Sequence, residues 1–256
     1  MKKLVTALFL IFATAACTGY YEDGMAAFRK GDHTTAERLF KKGAEQADSK
    51  SLSALAQMYL FGKGVLQDYA EAARLFTLAA KQGDSGAQLK LASMYANGKG
   101  VLQDYAEAVR LNRLAAEQGD SHAQHKLASL YLFGEWKVLQ DDAEAARLFT
   151  LAAKQGHAGA QYNLAVMFKS GVGVIQDDLQ AHMWANLSAV FANKDIWKYR
   201  NNISLTEPER VKNERMVSEQ FQKFRESLAA RMTSQQIGKA QAMAKKCQSS
   251  QFKDCG

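Results

Sequence analysis

The sequence is short of the residues that break, cross-link or submerge a chain. Its 256 residues include one proline and three cysteines. With a single proline, the residue least tolerated inside a helix, almost any segment can continue a helical run. Three cysteines cannot supply the disulfide lattice of a small secreted scaffold. Long apolar runs are missing too. The longest, Leu4 to Ala16, is well short of the roughly 20 residues that a spanning helix needs, which excludes a polytopic membrane protein. Hydrophobic residues make up 47% of the chain, enough for a sizeable core, so collagenous, low-complexity and disordered classes are excluded as well. The formal charge is +7, but Lys2 and Lys3 at the extreme N-terminus supply two of those charges, and nothing in the balance points to nucleic acid.

Those two lysines, the apolar run and the small residues Ala13 to Ala16 follow the order of a secretory signal, so residues 1–17 are set apart from the fold. Ala15-Ala16-Cys17 resembles a bacterial lipobox, with Thr14 where that motif usually carries leucine. The resemblance implies cleavage before Cys17 and lipid attachment to it. Ala13-Thr14-Ala15 also fits ordinary signal cleavage, which would release a soluble periplasmic or secreted protein. If Cys17 is lipidated, Cys247 and Cys255 are left as an even set that can close a short loop in an oxidising compartment. Thr18, rather than aspartate, follows Cys17. By the same resemblance this implies the outer membrane.

The body repeats itself. Gly62, Gly98, Gly134 and Gly171 are spaced by 36, 36 and 37, and each opens a loop that runs into Val-Leu-Gln-Asp or Val-Ile-Gln-Asp. A fixed period of this size marks an array of two-helix units. The second helix of a unit starts at an aspartate (Asp68, Asp104, Asp141, Asp177), carries Ala72, Leu75, Phe76 and Ala79 at helical spacing, and stops at Gly83. The first helix alternates large and small residues on its packing face: Leu91, Ala92, Tyr95, then Leu127, Ala128, Tyr131, then Leu164, Ala165, Phe168. Ala36, Leu39 and Phe40 fall one period earlier and mark a degenerate leading unit that caps the array. Two irregularities stand out. Asn112 occupies the place of Phe76 and Phe149, and the third loop has lost its second glycine to the sequence Gly134-Glu135-Trp136-Lys137.

Ala-x-x-x-Leu-Ala-x-x-Tyr, Gly-x-Gly-Val-x-x-Asp and Ala-x-x-Leu-Phe-x-x-Ala-Ala-x-x-Gly at this period resemble the Sel1-like repeat (SLR), a relative of the tetratricopeptide repeat. The resemblance covers residues 24–192 and implies an all-α fold, an α/α solenoid wound as a right-handed superhelix of SLR/TPR-like helix pairs. Residues 193–256 lose the period and read as a C-terminal helical cap. There, Thr206 and Thr233 head two capping boxes, and Val217, Phe221, Phe224 and Leu228 form an apolar stripe. Residues 194–256 hold 13 Lys+Arg against 7 Asp+Glu, which reads as a solvated helix face or as a contact with anionic headgroups or an acidic partner.

No catalytic constellation emerges, and no cofactor is implied. Gly83-Asp84-Ser85-Gly86 spells the surroundings of a protease nucleophile, but related turns recur at Gly119 and Gly156, so Asp84 and Ser85 read as helix caps. Ser250 to Lys253 matches S-x-x-K without its companion motifs. His122 and His125 lack further ligands at metal spacing and read as a solvated pair. By the tetratricopeptide resemblance, the first helices line a groove for a protein partner, and the outward positions are Gln57, Leu89, Ser93, His125, Ser129, Tyr162, Val166 and Lys169. Trp136 joins them, either as an anchor for a partner or folded back on its neighbour. These features describe a non-enzymatic protein-binding lipoprotein with an unidentified protein partner, held to the membrane by its N-terminal lipid alone. One alternative is the weak β-lactam hydrolysis of cysteine-rich SLR proteins, although these repeats lack the cysteine pairs. Another is a structural protein contacting peptidoglycan.

Overall fold

Asp68, Asp104, Asp141 and Asp177 each accept backbone N–H groups at the start of a helix, at 2.8 to 3.1 Å. They satisfy donors that a helix N-terminus otherwise leaves open. In the computed structural model, which describes residues 19–199 and 207–255, these caps punctuate an all-α solenoid. Helix α1 spans residues 19–29. It is followed by α2 (His33–Glu45), α3 (Ser49–Phe61), α4 (Tyr69–Lys81), α5 (Ser85–Asn97) and α6 (Tyr105–Glu117). Then come α7 (Ser121–Phe133), α8 (Asp142–Ala153), α9 (Ala158–Ser170), α10 (Asp178–Tyr199), α11 (Glu207–Ala229) and α12 (Ser234–Ser249). No strand occurs among the described residues. The lipobox and Cys17 lie outside the described residues, as do Thr206 and the side chain of Val217.

The chain divides after Ala115 into two compact units. In the first, α3 packs on α2 and α4, and α4 packs on α5. In the second, α7, α8, α9 and α10 pack in succession, and α10 also receives α11 and α12. Packing follows the alternation of small and large residues. Ala72, Leu75, Phe76 and Ala79 of α4 are buried, as are Leu91 and Ala92 of α5. Alanines let the helix axes approach while phenylalanine and leucine fill the space between them. Asn112, in phenylalanine's place, is also buried, and its Nδ2 donates to the Ala108 carbonyl one turn back at 2.8 Å. The amide thus meets its polar demand inside its own helix.

A buried glutamine recurs at the joint between repeats. Gln88, Gln124 and Gln161 donate through Nε2 to the carbonyls of Ala80, Ala116 and Ala153 at 3.1 to 3.2 Å. Those carbonyls belong to the last turn of a helix, where they also accept from the N–H groups of Gly83, Gly119 and Gly156. Each loop closes in a similar way: the backbone N–H groups of Asp68, Asp104, Asp141 and Asp177 donate to Tyr59, Tyr95, Tyr131 and Phe168. Gly62, Gly98, Gly134 and Gly171 end the first helices in the left-handed region. In the third loop Trp136 and Lys137 hold φ of 54° and 63° without glycine's freedom.

Beyond the repeats, Phe221 of α11 joins Ala158 and Ala189 in a core cluster against which Tyr162 and Phe191 pack. Leu228 is buried as well. The Thr233 hydroxyl and the Gln236 side chain complete the expected capping box of α12. Cys247 and Cys255 form a disulfide across eight positions. It closes a short turn in which Phe252 meets the edge of Phe191 at 5.2 Å.

Candidate binding surface

The outward positions of the first helices fall into two groups. On α3 and α5, Gln57 and Leu89 are half-buried and Ser93 is exposed. Asn97, one turn further along α5, donates to the Ser93 carbonyl at 2.7 Å, so its amide lies along the same strip of helix. On α7, Ser129 is half-buried and donates to the His125 carbonyl at 3.0 Å. On α9, Val166 is 36% exposed. Gln57, Ser93, Ser129 and Val166 occupy one frame position in successive repeats, serine in two of them and glutamine or valine in the others, while the leucine and alanine beside them are constant.

Other positions of the same face are taken up by the chain itself. Tyr162 stacks on Phe221 with centroids 4.6 Å apart and meets Phe224 edge-on at 5.0 Å. Lys169, two turns along α9, holds its Nζ 5.4 Å above the Phe224 ring. Helix α11 therefore lies along the Tyr162 to Lys169 side of α9.

His125 is likewise engaged, and the expected solvated pair of His122 and His125 is not solvated. His157, one repeat later, stacks on His125 at 4.6 Å and brings Nε2 to within 3.0 Å of His122 Nδ1. Asn163 Nδ2 reaches His125 Nε2 at 3.2 Å, and Phe149 packs 5.5 Å from the His125 ring. Burial, with His122 and Lys126 adding repulsion, pushes the His125 imidazole down to about 4. Sequence reasoning missed His157 because it sits where Asp84 and Asp120 cap their helices. It caps α9 in the same way, its Nδ1 accepting from the Ala160 N–H at 3.1 Å. Among the described residues no group of three or more His, Cys, Asp or Glu side chains could hold a metal ion.

Trp136 is folded back, half-buried, with Lys126 Nζ 4.6 Å from its ring and Glu135 beside the same lysine at 4.0 Å. The cation over the ring and the carboxylate at the rim hold the irregular loop against α7. The loops carry a second feature that the residue-by-residue reading passed over. Leu66, Leu102, Leu139 and Ile175 are 91%, 90%, 87% and 90% exposed. The signal was available, since each lies between a helix-ending glycine and a capping aspartate, on a linker with no neighbour to cover it.

The repeat model of the Sel1 family matches residues 16–48, 49–84, 85–120, 121–157 and 158–189. The chain belongs to the Sel1 repeat family. Sel1 repeats are scaffolds for protein–protein interaction. A Sel1 repeat protein from Oxalobacter formigenes shares the fold with a TM-score of 0.62 and 24% identity, over 79% of this chain and 84% of that one. A Sel1 repeat protein from Klebsiella pneumoniae subsp. pneumoniae is 26% identical over 70% of this chain and 89% of its own, with a TM-score of 0.46. An immunity protein from Pseudomonas aeruginosa is 18% identical over 80% and 82%, with a TM-score of 0.49. Comparison with curated proteins gives no match.

Proposed function

We propose that this Sel1 protein is a non-enzymatic adaptor of the bacterial envelope, tethered through a lipid on Cys17, that captures a protein partner along the outward positions of its first helices. One observation carries the reading. The frame position that reads Gln57, Ser93, Ser129 and Val166 takes three different residues across four repeats on a framework whose leucines, alanines, caps and loop bonds recur. A scaffold that keeps its geometry and varies the side chains it displays is built for recognition. Leu89 shares α5 with Ser93, and Trp136 is held against α7, whereas Tyr162, Lys169 and His125 act mainly in the chain's own packing.

The test is capture from an envelope extract by the full chain, compared with the Ser93→Arg, Ser129→Arg and Val166→Arg variants. Ser93 and Val166 are exposed, so their variants should melt unchanged by circular dichroism, whereas Ser129 is half-buried and its variant is read only if its melt is also unchanged. Loss of one retained protein in these variants supports the reading; equal retention by all of them, or turnover of a chromogenic β-lactam by the wild-type chain, refutes it. For the tether, Cys17→Ala should abolish incorporation of labelled palmitate and release the protein from the outer-membrane fraction.

A further inference from the structure

The exposed aliphatic residues of the loops form a pattern that protein capture leaves unexplained. Within the first unit, Leu66 and Leu102 sit on neighbouring loops. Lys99, in the second loop, lies over the Tyr69 ring at 5.7 Å, and Tyr69 directly follows the first loop. Within the second unit, Leu139 and Ile175 are related in the same way. A Cβ added at Gly173 would fall on the backbone of Asp142, just after the Leu139 loop. Each unit thus carries two adjacent loop tips, each ending in an aliphatic side chain about nine-tenths in solvent. Lysines accompany three of the four tips: Lys63, Lys99 and Lys137. The nearby aspartates Asp68, Asp104, Asp141 and Asp177 are turned back to cap their helices. Glu135, Asp142 and Asp178 are the remaining acids beside the tips. At the end of α7, where the third loop begins, Phe133 is 65% exposed.

Two considerations narrow the occupant. The tips repeat an aliphatic residue, leucine three times and isoleucine once, at the same place in the loop, so whatever covers the pair of a unit is either uniform or repeats with the same period, as a second copy would. Two leucine-sized side chains per unit also offer on the order of 200 Å² of apolar surface, far below the roughly 800 Å² per partner of a stable protein interface. A lipid surface requires no such area and no shaped complement. Aliphatic tips reach the acyl boundary while lysine stems settle among the headgroups. None of the described helices is long and apolar enough to cross a membrane, so the contact is interfacial. We infer that the loop tips of each unit, Leu66 with Leu102 and Leu139 with Ile175, rest in the headgroup layer of a phospholipid bilayer, so that the protein meets the membrane through its body as well as its N-terminus.

The experiment uses the full chain in a Cys17→Ala background, with one nitroxide placed at Leu102→Cys, at Ile175→Cys or, as a control, at Ser93→Cys. Circular dichroism confirms each fold. Vesicles of phosphatidylethanolamine and phosphatidylglycerol are added, and the ratio of oxygen to nickel-chelate collisions is read by electron paramagnetic resonance. The ratio should rise at least threefold at positions 102 and 175 and stay constant at 93. A ratio at both tips that keeps its aqueous value overturns the inference, and so does dipolar broadening between tip labels of separate chains in lipid-free solution, which would make a second copy the occupant. Capture of a protein through Ser93, Ser129 and Val166 is read separately, so either proposal can fail without the other.

Discussion

His157 donates its Nε2 proton to the Nδ1 of His122 across 3.0 Å. The direction follows from the rest of the network, because His157 Nδ1 is already an acceptor for the Ala160 N–H. A neutral His157 must therefore carry its proton on Nε2, and His122 must offer a bare Nδ1. Protonating either acceptor would set donor against donor. His125, stacked against this pair and buried, is held in its uncharged form.

Acid should therefore weaken the fold. His125 has a folded pKa of about 4 against 6.5 in a free side chain. Between those values the unfolded chain holds a proton that the folded chain rejects, so stability falls as pH falls through that window, by about 3 kcal/mol at most from this group. Urea denaturation at pH 7.5 and 4.5 should show the loss, and His125→Leu, which installs the residue found at position 89, should shrink it. An identical pH slope in that variant would place the acid sensitivity elsewhere.

The loop glycines separate two costs. Gly100 has φ of 71°, and a Cβ there would collide with the Tyr69 carbonyl. Gly119 has φ of 86° with nothing within 4 Å. Gly119→Ala should cost about 1 kcal/mol from the left-handed backbone alone, and Gly100→Ala at least about twice that, because backbone on both sides has to move. Lys137 holds the left-handed conformation without being glycine, so Lys137→Gly should raise the melting temperature. A lowered melting temperature would show that the loop gains more from the lysine than it loses in strain.

These contrasts mark how far the sequence could be read. Caps, helix-ending glycines, the packing stripes and the solenoid itself depend on residues within one turn or one repeat of each other, and periodicity exposes them. The histidine cluster does not arise that way. His122 and His157 are 35 positions apart, and the cluster forms because His157 replaces an aspartate at a cap, a substitution whose local role is unchanged. The apolar stripe of α11 showed that the helix needs a partner. Which face it would cover was set by tertiary packing, so Tyr162 and Lys169, placed on an open groove by analogy with their counterparts in earlier repeats, proved to lie beneath Phe224.

The recurring glutamine offers a third prediction. Gln124 donates to Ala116 and accepts from Gln155 Nε2 at 2.8 Å. Gln161 donates to Ala153, while its buried Oε1 has no partner among the described residues. Leucine stands at the matching position 52, so the site accommodates it. Gln124→Leu should cost about 1 kcal/mol for the two hydrogen bonds it removes, since the Ala116 carbonyl still accepts from Gly119 and the Gln155 amide is exposed. Gln161→Leu should cost less, because an unsatisfied acceptor leaves together with the donor. Equal losses in chemical denaturation would refute this account of the joint.

The last prediction concerns the ring stack that seats α11. Phe221 is 5% exposed and stacked on Tyr162, so Phe221→Ala should cost about 3 kcal/mol. Tyr162→Ala should cost somewhat less, because its ring keeps a wetter edge. Combined, the two should fall short of their sum by about 1 kcal/mol, since the stacking term can be lost only once. Hydrogen exchange locates the effect. In Phe221→Ala the amides of residues 218–229 should exchange faster while those of α7 and α8 keep their protection, because α11 is held through α9 and α10. If the costs add and protection falls evenly across the second unit, the stack is not the seat of α11, and the burial of Leu228 takes over that role.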